Sequence, residues 1–244
     1  MKKIYSLGIM ILAIASPAQG QRGQAQLAGG EVDPGSGRWD VTLARGKTRE
    51  IDFTTSEGTW MSPDLSPDGR WIVFDLLGHI YRMPSTGGDA QPLTQNSGVA
   101  LNFQPRISPD GKTIAFITDR RGQYNLWLMD ADGTNPRPVF TDLNVTAAEP
   151  AWTPDGQYIV VRRAGSGNPD APGGGGGGGL YMYHRDGGQG VQLVGSNGGR
   201  GGGGGGAAAW PTISSDGRYL YYQMSVNVAD HEPLSGAYQL RRFD

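Results

Sequence analysis

Short apolar runs rich in β-branched and aromatic residues recur along the chain, each opened by a polar turn of one design. The runs are Trp71-Ile72-Val73-Phe74, Ile114-Ala115-Phe116-Ile117, Tyr158-Ile159-Val160-Val161 and Tyr219-Leu220-Tyr221-Tyr222. The turns before them read Leu65-Ser66-Pro67-Asp68-Gly69-Arg70, Ile107-Ser108-Pro109-Asp110-Gly111-Lys112, Trp152-Thr153-Pro154-Asp155-Gly156-Gln157 and Ile213-Ser214-Ser215-Asp216-Gly217-Arg218. Asp-Gly between two apolar runs signals a hairpin, because glycine accepts positive φ and Asp bonds the backbone locally. The Ser or Thr two residues before the Asp can satisfy a turn amide. Pro63, Pro105, Pro150 and Pro211 each stand three residues before that Ser or Thr; with φ fixed and no N–H, a proline suits the start of a strand. The four aspartates therefore have a structural role as turn residues, which argues against metal or acid chemistry for them.

The aspartates recur at steps of 42, 45 and 61 residues. A period of about 40–45 residues with strand-type flanks is the length of one four-stranded propeller blade. The predicted fold class is all-β, an incomplete β-propeller of about three and a half four-stranded blades. The first blade is expected over Asp64–Ser66, Trp71–Leu76, His79–Met83 and Gln91–Thr94. The second has Leu126–Met129 and Arg137–Phe140 around a turn at Asp130–Asn135, and the third Tyr158–Arg163, Leu180–Tyr183 and Val191–Val194. The fourth has Tyr219–Met224 and Tyr238–Phe243, separated by an inserted loop at Ser225–Gly236. Ahead of the blades, Arg38–Leu43 and Arg49–Thr54 show strand alternation. Second-strand side chains (Ile72, Phe74, Ile114, Phe116, Ile159, Val161, Leu220, Tyr222) should fill the space between blades. Because the chain stops one strand into the second half of its fourth blade, it is expected to be a fragment of a longer protein.

Composition fits this reading. There are 41 glycines and many aromatic residues, with six Trp, ten Tyr and six Phe. Glycine tracts at 173–179 and 198–206, the latter interrupted by Arg200, bracket the Leu180–Val194 hairpin. Such tracts bury no side chain and lose much entropy on ordering, so they read as mobile inserts. One Arg200-Gly201-Gly202 unit in an acidic chain is loop composition rather than a nucleic-acid site. A formal net charge of −2 gives no general attraction to nucleic acid or anionic lipid. The absence of cysteine excludes disulfides, zinc–thiolate sites and thiol nucleophiles. At the N-terminus, Lys2-Lys3, an apolar run from Ile4 to Ala15 and then Ser16-Pro17-Ala18-Gln19-Gly20 form the pattern of a cleavable secretory signal. Cleavage after Ala18 or Gly20, a flexible leader over 21–37 and a propeller over 38–244 complete the expected organisation. The run is shorter than the roughly 20 residues needed to span a bilayer, so a periplasmic or secreted protein without a membrane span after cleavage is expected.

Candidate chemistry is sparse. The three histidines are His79 after Gly78, His184 near the Gly187-Gly188 turn and His231 in the long loop. None has the His-x-His or His-Glu-x-x-His spacing that brings two nitrogens to one metal. Asp230-His231-Glu232 is the densest polar cluster, and its spacing is that of a solvated loop. Asp130-x-Asp132-Gly133 opens like a calcium loop but lacks the later ligands and the terminal Glu, which makes it a turn. Gly165-Ser166-Gly167 is not a Gly-x-Ser-x-Gly elbow, and neither glycine tract leads into Lys-Ser or Lys-Thr. No catalytic, cofactor-binding or metal-binding residue is assigned.

The four turns, together with Phe116-Ile117-Thr118-Asp119-Arg120-Arg121-Gly122 leading to Leu126-Trp127-Leu128-Met129-Asp130-Ala131-Asp132-Gly133, resemble TolB-type propeller repeats over roughly residues 57–244. A narrower resemblance is carried by Glu57-Gly58-Thr59-Trp60-Met61-Ser62 through Leu65-Ser66-Pro67-Asp68-Gly69, by Ile72-Val73-Phe74-Asp75-Leu76-Leu77-Gly78-His79-Ile80-Tyr81 and by Ser225-Val226-Asn227-Val228-Ala229-Asp230-His231-Glu232-Pro233. These segments look like the N-terminal propeller of large exported amidohydrolases, although Pro63 and His79 stand where Val and Asp are expected. That resemblance implies a metal-dependent hydrolase acting on C–N bonds, with a divalent, zinc-like ion in a catalytic domain that follows the propeller. The propeller would then be non-catalytic and serve substrate access or docking, its first partner being that domain. The alternatives are a periplasmic protein-binding propeller of the TolB type, contacting a peptide or envelope protein through loops such as Ser225–Gly236, and the propeller of a serine oligopeptidase.

Overall fold

Fifteen strands and one 3-10 turn at Gln95–Ser97 make up the regular structure of the described residues. The computed structural model describes residues 41–44, 46–49, 54–165, 179–195, 208–225 and 238–244. Strands β1 (Asp64–Leu65), β2 (Trp71–Leu76), β3 (His79–Pro84) and β4 (Gln91–Pro92) form the first antiparallel blade. The second is β5 (Asn102–Ile107), β6 (Thr113–Thr118), β7 (Asn125–Asp130) and β8 (Arg137–Pro138). The third is β9 (Val145–Trp152), β10 (Tyr158–Gly165), β11 (Gly179–His184) and β12 (Val191–Val194). The fourth has three strands, β13 (Ala208–Ile213), β14 (Leu220–Ser225) and β15 (Tyr238–Phe243). Each blade is an up-and-down meander, so the predicted all-β propeller architecture is what forms.

Blade stacking follows from the two-residue period of a strand. On β6, Ile114 and Phe116 point to blade 1 and join Trp71, Val73, Ile80, Trp127 and Met129. Ala115 and Ile117, on the opposite face, join Leu126, Leu128, Ile159, Val161 and Tyr183. A third core sets Val160 and Leu180 against Leu220, Tyr222 and Met224. In blade 1, Trp71 and Val73 face blade 2, whereas Phe74 packs on the other side with Met83, Ala90 and the half-buried Ile72. Burial on both faces explains why these runs are continuously apolar instead of alternating.

Two expectations need correction. Residues 41–44 and 46–49 are turn, bend and irregular backbone, so the alternation read at Arg38–Leu43 and Arg49–Thr54 makes no strand among its described residues. Pro63 does precede a strand, but Pro105, Pro150 and Pro211 lie inside β5, β9 and β13. There the register shifts, between Phe103 and Arg106, between Ala148 and Ala151, and between Ala209 and Thr212. A bulge leaves one residue out of the ladder, which is where a strand tolerates proline. The glycine tracts, Ser166 and Gly167, the leader, the signal segment and residues 226–237 lie outside the described residues, except that Gly179 opens β11.

The repeated turn has one geometry. In blade 2 the Ser108 hydroxyl donates to Asp110 Oδ1 at 2.6 Å and accepts from Thr113 N at 2.9 Å, while Asp110 Oδ1 accepts from Lys112 N at 3.0 Å. Gly111 closes the turn at φ +71°, a region that favours glycine. The same bonds recur at Ser66/Asp68, Thr153/Asp155 and Ser214/Asp216. The hydroxyl bond, followed by backbone N–H bonds, lowers the pKa of all four carboxyls below the ordinary aspartate value, helped at Asp68 and Asp110 by neighbouring cationic side chains. A lowered folded-state pKa contributes stability above the unfolded value near 4, and that contribution is lost as pH falls through the folded value. Stability is therefore expected to decline below about pH 4. Ser108→Ala, which strands the buried Thr113 N–H, should cost about 1–2 kcal/mol at neutral pH in urea titrations and flatten the acid decline. An unchanged urea midpoint would show that the hydroxyl does not hold the turn.

Candidate functional site

The bulges of the inner strands of blades 2 to 4 each place one non-glycine residue in the left-handed region: Gln104 at φ +52°, Glu149 at +58° and Trp210 at +53°. Such backbone costs on the order of 1–3 kcal/mol per residue unless its surroundings over-determine it. Here they do, through a chain of hydrogen bonds running from blade to blade. Gln104 N donates to Asp75 Oδ2 at 2.7 Å, Glu149 N to Gln104 Oε1 at 2.7 Å and Trp210 N to Glu149 Oε2 at 2.7 Å. Asp75 also accepts from Ser62 N at 2.6 Å. Glu149 is buried and paired with Arg162, whose Nε lies 3.1 Å from Oε1. Each bulged amide is thus satisfied by the blade before it.

Beside this belt the inner strands enclose a groove of about 360 Å³. Its walls carry Asp64, Arg106, Glu149, Trp152 and Trp210, with Pro109, Pro150 and Pro211 between them. Two further bonds tie the wall together. Ile107 N donates to Asp64 Oδ2 at 2.7 Å, and Trp152 Nε1 donates to Arg106 O at 3.0 Å. Burial raises the pKa of Asp64, opposed by the Ile107 N–H and the charge of Arg106. Its ionised form is thus disfavoured by the fold, the reverse of the turn aspartates. Trp210 remains 53% exposed. The groove offers an indole face, one guanidinium and two carboxylates on a backbone fixed by the belt.

The residues singled out from the sequence do not converge here. His79 begins β3, its Nδ1 3.3 Å from Thr94 O. His184 ends β11, edge-on to Tyr158 with ring centroids 5.2 Å apart and Nδ1 3.5 Å from Asp186. His231 and its acidic neighbours fall outside the described residues. Asp130 and Asp132 bond within their own turn, to Asn135 Nδ2 at 2.7 Å and Thr134 Oγ1 at 2.6 Å, as a turn reading requires. Among the described residues no three His, Cys, Asp or Glu side chains converge on one point. The belt residues were missed by sequence reasoning, yet a signal existed: Gln104, Glu149 and Trp210 each directly precede the recurrent proline.

Four meanders stacked radially around a hub define a TolB-like β-propeller. The structure is similar to that of a putative TolB from Agrobacterium tumefaciens, with a TM-score of 0.55, 23% identity and coverage of 78% of this chain and 59% of that one. In sequence, the chain is 42% identical over 110 residues to an uncharacterized peptidase, YuxL, of Bacillus subtilis, covering 41% of this chain and 16% of that protein. It is 29% identical over 154 residues to the Tol-Pal system protein TolB of Francisella tularensis, covering 60% of this chain and 34% of that protein. The chain thus spans well under half the length of these two relatives. No family model matches the sequence.

Proposed function

We propose that this propeller is a non-catalytic docking module whose hub groove takes up an extended, polypeptide-type ligand and presents it to a catalytic part of the same exported protein. The observation that carries the reading is Trp210, a half-exposed indole on a strained, belt-supported backbone, facing prolines and charged groups of both signs. A rigid aromatic anchor with polar groups around it suits an extended chain, because stacking supplies affinity and the polar groups fix register. The amidohydrolase type is proposed for the catalytic part, on the resemblance of Glu57–Tyr81 and Ser225–Pro233. No described cluster fits a metal, so the divalent ion belongs, on this reading, to that other part. Export to the periplasm rests on the Lys2–Gly20 pattern. The similarity to a Bacillus peptidase favours a second reading, in which the catalytic part is a peptidase and the groove serves it in the same way.

Calorimetric titration of the chain with an unstructured polypeptide tests the docking role. Saturable binding is expected, weakened about 30-fold or more by Trp210→Ala, in line with the ~2 kcal/mol or more that an aromatic anchor contributes. Equal binding by wild type and Trp210→Ala would remove the hub groove from the function.

A further inference from the structure

The grooves between blades 1 and 2 and between blades 2 and 3 are built alike, with one difference. Trp127 pairs with Phe116 in blade 2, and Tyr181 pairs with Val161 at the equivalent place in blade 3. Over each ring lies an arginine: the Arg120 guanidinium carbon is 4.9 Å from the Trp127 ring centroid, and that of Arg163 is 4.7 Å from Tyr181. Arg163 has its counter-charge, with Nη2 3.2 Å from Asp142 Oδ2, and it also donates to Tyr183 OH at 2.7 Å. Asp142 stands four residues after Pro138 of β8. Four residues after the matching Pro92 of β4 stands Asn96, a neutral side chain.

The consequences appear in the first groove. Arg120 donates from Nη2 to Asn102 Oδ1 at 3.0 Å, and no carboxylate pairs with it among the described residues. The neighbouring Asp119 instead accepts from Leu101 N at 2.8 Å. Burial lowers the pKa of Arg120 and outweighs the opposing charge of Asp119, the sign of a charge drawn from water without full compensation. Among the described residues three buried side-chain polar atoms lack a partner, namely Thr118 Oγ1, Arg120 Nε and Trp127 Nε1, and the Arg120 guanidinium lies over the Trp127 ring. Two of them can only donate, so the groove needs an acceptor. A cavity of about 320 Å³ opens beside Arg120, with Asn96 and Ser97 among its walls.

We propose that the groove between blades 1 and 2 is a binding site for a carboxylate, which would take beside Arg120 the place that Asp142 holds beside Arg163. The recognition is the Arg120 guanidinium at the cavity wall, whose donors match the acceptor oxygens of a carboxylate. The site is separate from the hub groove and stands or falls independently of it.

The test follows the indole ¹⁵N–¹H resonance of Trp127 in the full chain, titrated at constant ionic strength. Acetate serves as a free carboxylate and C-terminally amidated, N-acetylated Gly-Glu-Gly as a side-chain one; the tighter binder identifies the natural source. A saturable shift with a dissociation constant of about 1–10 mM is expected. Asn96→Asp, which restores the internal carboxylate, should weaken it at least tenfold and raise the thermal midpoint, and Arg120→Met should abolish it. If Arg120→Met does not fold, Asn96→Asp decides alone. No saturable shift with either probe, meaning that water alone serves these donors, overturns the proposal. So does an affinity unchanged by Asn96→Asp, or tighter binding of inorganic phosphate than of both carboxylates.

Discussion

Phe116→Ala is expected to destabilise the chain by about 3–5 kcal/mol, the range for removing a large aromatic side chain from a packed core. Phe116 is fully buried at the middle of β6, pressed between blades 1 and 2 among Trp71, Val73, Ile80, Ile114, Trp127 and Met129. Its removal would open a cavity where two rigid sheets meet, and neither can collapse without breaking the register of its own ladder. The ring also lies 5.6 Å from the Arg120 guanidinium carbon, so a cation–π contact is lost as well. For a domain of this size the loss corresponds to a fall of roughly 6–20 °C in the thermal midpoint. Leu240→Ala provides the contrast. Leu240 is 79% exposed on β15, and its truncation should stay within about 0.5 kcal/mol. Urea denaturation of the two variants checks the pair, and a Phe116→Ala midpoint close to wild type would mean that the inter-blade core does not hold the blades together.

The strands that stack between blades were legible because their chemistry is local. Val191–Val194 and Tyr238–Phe243 were read with the bounds they have in the structure, since an apolar run between Gly- and Asp-rich turns has few other conformations. The Ser-x-Asp-Gly hydrogen bonds were legible for the same reason: donor, acceptor and glycine all lie within five residues. The inner-strand bulges were not. A proline read from sequence promises a missing donor and a fixed φ, and both a strand start and a bulge meet those terms. What selects the bulge is the adjacent blade, whose Asp75, Gln104 or Glu149 side chain is aimed at the freed amide from 29, 45 and 61 residues away. The Arg120 groove was hidden in another way. Arg120 and Asn96 look unremarkable on their own, and only the superposed repeat shows that a charge present beside Arg163 has no counterpart there.

Asp75 is where the blade-to-blade belt is most exposed to a single substitution. The carboxylate is buried on β2 and divides its two oxygens between blades: Oδ1 accepts Ser62 N at 2.6 Å and Oδ2 accepts Gln104 N at 2.7 Å. No other side chain type of this size offers two acceptor oxygens without a donor. Asp75→Ala leaves both amides unpaired and withdraws the contact that holds Gln104 at φ +52°, so a cost of about 2–5 kcal/mol is expected. Asp75→Asn keeps one acceptor and turns an N–H₂ toward the other amide, which places it between wild type and Asp75→Ala. Because Gln104 Oε1 in turn receives Glu149 N, and Glu149 receives Trp210 N, loosening should pass along the hub. Hydrogen exchange is then expected to quicken at Gln104, Glu149 and Trp210 in Asp75→Ala while the β6–β7 amides change only with global stability. Exchange that quickens at Gln104 alone would show three independent bulges and no belt, and the rigid backing of the hub groove would have to come from the cores between blades.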